Sequence, residues 1–300
     1  MRPLVETLRK VLEHDVNVLI LGESGTGKDY VAQVLHAAGP RRAFPFVHID
    51  CVAIPPDLFE SELFGYEKGA FTDAQARKPG RLEMARQGTI YLDEIARLDS
   101  KLQAKLLRAI QEKKFTRLGG SESIALDARV LSSSSNDPKQ LLDAGALRKD
   151  LFYRLNVVSV TVPPLRDRRE DIPMLAKRFL KEVSAHGAKR LRGFTPRALE
   201  MLTDYSWPGN VRELRNVVER ASIVETGESI TPESLPLDRF LAPADLISRG
   251  AEVGWTLEQL EERYIREILR RARNNYSKAA ETLGINRKTL LEKRKKYGIE

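Results

Sequence analysis

The run Gly22-Glu23-Ser24-Gly25-Thr26-Gly27-Lys28 constrains this chain more than any other feature. It follows an apolar run, VLIL (18–21), and opens a helix-period stretch, KDYVAQVLHAAG (28–39). A G-x-x-x-x-G-K pattern between strand and helix is a phosphate-binding loop. Gly22, Gly25 and Gly27 let the backbone curl so that its N–H groups face phosphate oxygens. Lys28 adds a positive charge, and the helix N-terminus adds its dipole. The next position usually carries a hydroxyl for magnesium; here it is Asp29. A second acidic element, TIYLDE (89–94), ends a β-type run in paired carboxylates. Alone, such a pair reads as a solvated strand end. Beside a phosphate loop, Asp93 is expected to hold Mg2+, largely through water, and Glu94 to polarise the attacking water. The expected cofactors are ATP and Mg2+.

Further apolar runs alternate with amphipathic segments: FVHID (46–50), ARVLSSSS (128–135) and VVSVTV (157–162), with the helix-period KLQAKLLRAIQEKKF (101–115) between. That alternation predicts an α/β core with a parallel sheet and helices on both faces. After Pro163-Pro164 the pattern turns helical. Residues 236–254 carry prolines and glycines with little periodicity, so the expected division is a core at 1–168, a helical lid at 169–235, a linker at 236–255 and a last helical unit at 256–300.

The apolar runs are too short to span a membrane, and the charged N-terminus lacks a signal core. The single cysteine, Cys51, excludes an internal disulfide. Both readings point to the cytoplasm. Net charge is +8, but residues 263–297 hold twelve Lys or Arg against three Asp or Glu, which leaves the rest at −1. The basic excess therefore belongs to the C-terminal end and predicts a polyanion partner there.

The composition of that end predicts helices. TLEQLEERYIREILRRARNN (256–275) places Leu257, Leu260, Tyr264, Ile268 and Leu269 on one face. A short helix, a turn at Gly284 and a second helix follow, joined through Ala279, Ala280, Leu283 and Ile285. This is the pattern of a helix-turn-helix on double-stranded DNA. Asn286, Arg287, Lys288 and Thr289 open the second helix, where side chains reach the major groove. Lys293 and Arg294 are expected on phosphates.

Taken together, these motifs resemble the sigma-54-dependent activators of the AAA+ superfamily, of the nitrogen-regulator type, closed by a Fis-type helix-turn-helix. GESGTGKD (22–29) is similar to the family's GESGTGKE, and ESELFGYEKGAFTDA (60–74) to its ESELFGHEKGAFTGA. LQAKLLRAIQE, DLFYRLNV, PPLRDRREDIP and WPGNVRELRNVVERA follow in family order. The resemblance implies an AAA+ ATPase core, a lid and a hexameric ring that acts on sigma-54 RNA polymerase. Gly69, Ala70, Phe71, Thr72, Asp73 and Ala74 would form the sigma-54-contacting loop. Arg148 and Arg154 would be arginine fingers lent to a neighbouring subunit, and Arg212 would sense the nucleotide from the lid. Asp50 stands where the family has an asparagine that orients the catalytic glutamate, and an aspartate there is expected to repel Glu94 if close. The family's second loop glycine is Asp73, its sensor Thr-Asn reads Ser134-Ser135, with Asn136 one place late, and no receiver segment precedes the ATPase motifs. These departures keep a second expectation open: a DNA-binding regulator or repressor that retains the ATPase but does not activate sigma-54.

Overall fold

The apolar segments of the first half pair into a five-stranded sheet in the computed structural model, which describes residues 2–72, 74–186, 191–237, 254–272 and 275–299. In chain order the elements are α1 (Arg2–Leu12), β1 (Val18–Leu21), α2 (Lys28–Ala37), β2 (Phe46–Asp50), α3 (Pro56–Phe64), β3 (Gly65–Tyr66), β4 (Lys78–Pro79), α4 (Arg81–Met84), β5 (Thr89–Asp93), α5 (Ser100–Glu112), β6 (Lys114–Phe115), β7 (Ile124–Ala125), β8 (Arg129–Ser134), α6 (Pro138–Asp143), α7 (Lys149–Leu155) and β9 (Val158–Thr161). The sheet order is β2-β5-β8-β1-β9, and every pairing is parallel. Parallel neighbours require crossover connections, which the intervening helices supply.

Strand alternation divides the core between the two faces. Ile90 and Leu92 of β5 enter a cluster with Leu63, Phe64, Leu102, Leu106 and Leu151. Tyr91, one residue out of phase, enters the opposite cluster with Val18, Ile20, Val31, Leu35 and Val160. β8 is buried along its whole length between β5 and β1. Register then fixes one functional edge. Leu21 pairs with Ser134, Leu92 with Ser132 and Asp50 with Asp93. The residues that follow β1, β5 and β8 therefore emerge together at the carboxyl ends of the strands, where open α/β sheets bind ligands.

The helical periodicity read over 101–115 stops early. Asp99 caps α5 by accepting from the Leu102 amide at 2.8 Å, and Lys113 turns left-handed at φ 54°. Residues 114–115 become β6, which pairs with β7, because Phe115 is drawn into the core as strand.

The rest of the described chain is α8 (Ile172–His186), β10 (Gly193–Phe194), α9 (Pro196–Asp204), α10 (Asn210–Val224), β11 (Ser229–Ile230), α11 (Leu257–Arg271), α12 (Tyr276–Leu283) and α13 (Arg287–Lys296). Two compact units share the molecule: residues 1–182 with 199–216, and residues 183–198 with 217–300. In the first, Trp207 is fully buried, donates to the Leu202 carbonyl at 2.8 Å and meets Tyr205 edge-on. In the second, Glu225 accepts from the hydroxyls of Thr231 and Ser234 and from three backbone amides. The Ser234 hydroxyl bond leads the causes that pull its carboxyl down to about 2.

The terminal helices bury Ile265, Ile268, Leu269, Ala279, Ala280, Leu290 and Ile299 together, with Leu283 and Ile285 partly covered. The expected face of α11 is rotated. Leu257 and Tyr264 are 86% and 38% exposed, and Ile265 occupies the buried position instead. Ile265, Ile268 and Leu269 share the i, i+3, i+4 stripe that meets α12, which leaves Leu257 off the end of the contact. Most of the expected linker, 238–253, lies outside the described residues. Among the described residues no helix is long and apolar enough to cross a membrane.

Candidate nucleotide site

The loop after β1 is shaped by what lies on either side of it. Gly25 adopts φ 77°, and a Cβ there would sit 2.4 Å from the Gly209 carbonyl, so no side chain fits. Gly27, at φ 96°, stands at the head of α2 with open space where its Cβ would be. No side chain caps the α2 amides, which leaves them directed at the mouth of the loop. Lys28 is only 6% exposed, and its ammonium donates to the carbonyls of Gly22 at 2.9 Å and Glu23 at 3.3 Å. Thr26 closes the turn by donating its hydroxyl to the Glu23 carbonyl at 2.8 Å. A fixed cation beside uncapped helix amides is a donor set that fits a polyphosphate.

The acidic pair meets this cation across the strand ends. Glu94 is left-handed at φ 58°, which turns its carboxylate away from the line of β5. That carboxylate lies 3.2 Å from Lys28 and accepts from the Ser135 amide at 3.1 Å and from the Ser135 hydroxyl. The Ser135 hydroxyl in turn accepts from Lys28 at 2.7 Å. Burial raises the Glu94 pKa, but the bonds from Ser135 and the Lys28 charge outweigh it, so the group stays below the ordinary carboxylate range. Asp93 accepts from the Tyr91 hydroxyl at 2.9 Å and from the Ser133 hydroxyl, which itself accepts from the Glu94 amide. Burial, then the Asp93 charge, pushes Tyr91 up, so the phenol remains a donor. Two carboxylates at one sheet edge thus fit a hydrated divalent cation and an attacking water.

Asp50 does not join them. Its carboxylate accepts from the Val52 and Ala53 amides at 2.8 and 3.2 Å and so closes its own turn. Asn136 is exposed, and its amide donates to the Ser134 hydroxyl at 3.3 Å. The polar contact with Glu94 comes from Ser135. Sequence reasoning marks Ser135 only as a departure from the family's sensor asparagine and misses Ser133 altogether, because a serine run in a strand carries no pattern of its own. Their position between the two acidic strand ends appears only once β8 is threaded through the sheet. Cys51, pushed up by burial first, is a core thiol. We expect Ser135→Ala to lower turnover about ten- to a hundredfold, the worth of one bond to a charged group. Steady-state phosphate release measures it.

The arginines divide by location. Arg212 of α10 donates to the Ser24 hydroxyl at 3.0 Å, at the loop itself. Arg154 sits on α7, and Arg148 immediately precedes that helix at the N-cap position. Arg148 pairs with Asp150 at 2.8 Å on an exposed surface. The Arg154 carbonyl accepts from the Asn17 side chain at 3.0 Å, just before β1 begins. Its backbone is therefore at the amino end of the sheet, across the strands from its own phosphate loop. The Arg154 side chain is exposed and makes no hydrogen bond or ion pair among the described residues.

The loop from Gly69 to Ala74 rises from the β3–β4 hairpin. Gly69 donates to the Ala74 carbonyl at 2.8 Å, and Ala74 is buried. Phe71 is 43% exposed and meets Tyr66 edge-on at 4.8 Å, while Thr72 is exposed. Asp73 lies outside the described residues. Below the loop, buried Arg117 binds Glu67, Glu83 and Glu122 at 2.7, 2.8 and 3.0 Å.

In the terminal helices the expected DNA residues separate into two groups. Asn286 caps α13 by accepting from the Thr289 amide and hydroxyl at 2.8 and 3.0 Å. Arg287 and Lys288 are exposed in the first turn. Lys293 instead pairs with Glu261 at 2.6 Å, and Arg294 donates to the Ile299 carbonyl at 2.8 Å and lies over Tyr276. Both of these basic groups have work within the three-helix unit.

Three family models match the chain in succession: the sigma-54 interaction domain over residues 1–161, the AAA+ ATPase lid domain over 166–244, and the bacterial regulatory protein, Fis family, over 256–297. The chain is 45% identical to the transcriptional regulatory protein ZraR of Klebsiella oxytoca, over 98% of this chain and 66% of that protein. It is 42% identical to the regulatory protein AtoC of Escherichia coli, over 100% of this chain and 66% of that protein. It thus spans just under two thirds of the length of these relatives. The crystal structure of NtrX from Brucella abortus in complex with ATP superposes with a TM-score of 0.73 at 36% identity, covering 100% of this chain and 68% of that one. The phosphate loop, the acidic strand end, the lid contact and the basic terminal helices thus coincide with matched segments in the same order, and the chain belongs to the family of sigma-54-dependent regulators built from an AAA+ core, a lid and a Fis-type helix-turn-helix.

Proposed function

We propose that this chain hydrolyses ATP as a ring of identical subunits, a hexamer as its family implies, and uses that turnover to remodel sigma-54 RNA polymerase while held on upstream double-stranded DNA. The observation that carries the reading is the meeting of Lys28, Asp93, Glu94 and Ser135 at one edge of the sheet. Magnesium, when bound, neutralises charge on the phosphates; Asp93 would hold it largely through water, with Asp29 close by in the first turn of α2. Lys28 and the α2 amides bind and orient the phosphates. Glu94 accepts a hydrogen bond from a water, which turns the water's oxygen toward the terminal phosphorus, and takes up its proton as that oxygen attacks. Arg212 reports on the loop from the lid. Arg154, on the far side of the sheet, serves the site of a neighbour, with Arg148 beside it once released from Asp150. A guanidinium placed there stabilises charge on the transferring phosphoryl group.

Turnover then moves the Phe71–Thr72 loop, which lies exposed for a partner. The same reading keeps the division into core (1–168), lid (169–235), linker (236–255) and DNA-binding unit (256–300), and a cytoplasmic location. That the NtrX crystal structure carries ATP supports the nucleotide assignment. The test is open-complex formation by sigma-54 holoenzyme on a promoter with an upstream site. ATP-dependent opening is expected, and its absence in a chain that still hydrolyses ATP favours the repressor reading. Asp73→Gly is the comparison, since it restores the glycine found in the family loop.

For the DNA end, we expect Lys288→Ala to cost about 1–3 kcal/mol on the preferred duplex and to relax sequence preference, as loss of a groove contact does. Lys293→Ala is expected to lower the slope of log affinity against log salt by less than the roughly 1 of a full phosphate contact, because Glu261 already holds the ammonium. Fluorescence anisotropy on preferred and unrelated duplexes across a salt series separates the two.

A further inference from the structure

The phosphate loop has an outer side, and that side is tied to the lid. Glu23 is a loop residue, yet its carboxylate points outward and accepts from Arg166 at 2.9 and 2.6 Å and from the Asn210 side chain at 3.1 Å. Asn210 also donates to the Ser24 carbonyl at 3.0 Å and accepts from the Leu165 amide at 2.8 Å. The Gly25 carbonyl accepts from the Val211 and Arg212 amides at 2.9 and 3.3 Å. Arg168 donates to the Thr26 carbonyl at 2.8 Å. Four consecutive loop residues, 23 to 26, are thus bonded to the 165–168 segment or to the first turn of α10.

These bonds use the loop's carbonyls and the Glu23 side chain and none of its amides, of which those of Gly22 and Thr26 donate to the Ser134 and Glu23 carbonyls at 3.3 Å. A peptide cannot rotate to follow a phosphate oxygen without swinging its carbonyl as well. The same rotation therefore pulls on the head of α10, which carries Arg212. Asn210 is the centre of this connection. It is fully buried, left-handed at φ 53°, and uses its amide as donor and acceptor at once. In such a dry setting each bond counts for more than on the surface.

We propose that Asn210, with Glu23, is a positioning residue that couples the state of the phosphate loop to the lid helix and so places Arg212. The inference rests on the reading of the loop as a nucleotide site. It is a role separate from that of Arg212, because it acts on the loop's carbonyl side rather than on the nucleotide.

The test uses the whole chain, a fluorescent ADP analogue and hydrogen exchange at the amides of 211–214. In the wild type, ADP is expected to change protection of those amides. Asn210→Asp keeps the bond from the Leu165 amide but sets an anionic oxygen against Glu23. It is expected to weaken ADP binding about tenfold and to remove the exchange response. The double variant Asn210→Asp with Glu23→Gln is expected to regain part of both, since the side-chain amide introduced at position 23 can donate to the carboxylate introduced at position 210, while the bond to the Ser24 carbonyl stays lost. Should Asn210→Asp fail to fold, Glu23→Ala at its half-exposed position gives the same reading and is expected to blunt the response. An unaltered ADP response in Asn210→Asp, or in Glu23→Ala, overturns the coupling alone. A wild-type chain that binds no ADP overturns the nucleotide reading and the coupling with it.

Discussion

Glu94→Gln is expected to bind nucleotide and fail to turn it over, with phosphate release about a hundred to ten thousand times slower. Three features of the site set this outcome. Gln keeps the shape of the side chain, so the left-handed backbone at Glu94 and the bond from the Ser135 amide survive. Lys28 keeps its bonds to the Gly22 and Glu23 carbonyls, so the cation that faces the phosphates stays in place. What is lost is the negative charge that orients a water and takes its proton. Affinity for a fluorescent ADP analogue should therefore remain near the wild-type value while turnover collapses. If turnover persists within a few-fold of wild type, Glu94 is not the base, and the role assigned to the β5 strand end is wrong.

Arg154→Ala carries the second large effect, a loss of about a thousandfold or more in turnover, which is the scale of an arginine finger. Its side chain is exposed and its backbone lies at the amino end of the sheet, so the substitution should leave the fold and the melting temperature of the subunit unchanged. The decisive form of the experiment is a mixture. Glu94→Gln subunits supply Arg154 but no base, and Arg154→Ala subunits supply the base but no finger. Neither alone turns over ATP, yet a mixed ring contains junctions where an intact Glu94 faces an intact Arg154. Phosphate release should return on mixing, with a maximum near equal proportions. Recovery requires sites shared between subunits. Two inactive proteins that stay inactive when mixed would place the finger elsewhere or the site within one chain.

Much of the core was legible because its signals are local. The apolar runs read at 18–21, 46–50, 89–94, 128–135 and 157–162 each hold a strand of the five-stranded parallel sheet. The phosphate loop was legible because a glycine pattern describes backbone geometry directly. The terminal helices were legible from the turn at Gly284, which is left-handed at φ 68° and closes α12. Errors fell where burial on one side overrides periodicity. Phe115 left its helix to join a strand, and Ile265 replaced Tyr264 on the inner face of α11.

The sequence by itself determined the phosphate loop, the acidic strand end and the order of core, lid and basic tail, because each is written in neighbouring residues. Only the tertiary structure decided which polar groups serve the acids. It turned Asp50 to its own turn amides, set Ser135 between Lys28 and Glu94, and stapled Glu23 to Arg166 and Asn210. The Asp50 turn aside, those partners stand far apart in the chain. Their meeting depends on strand order and register, which no short stretch of sequence contains.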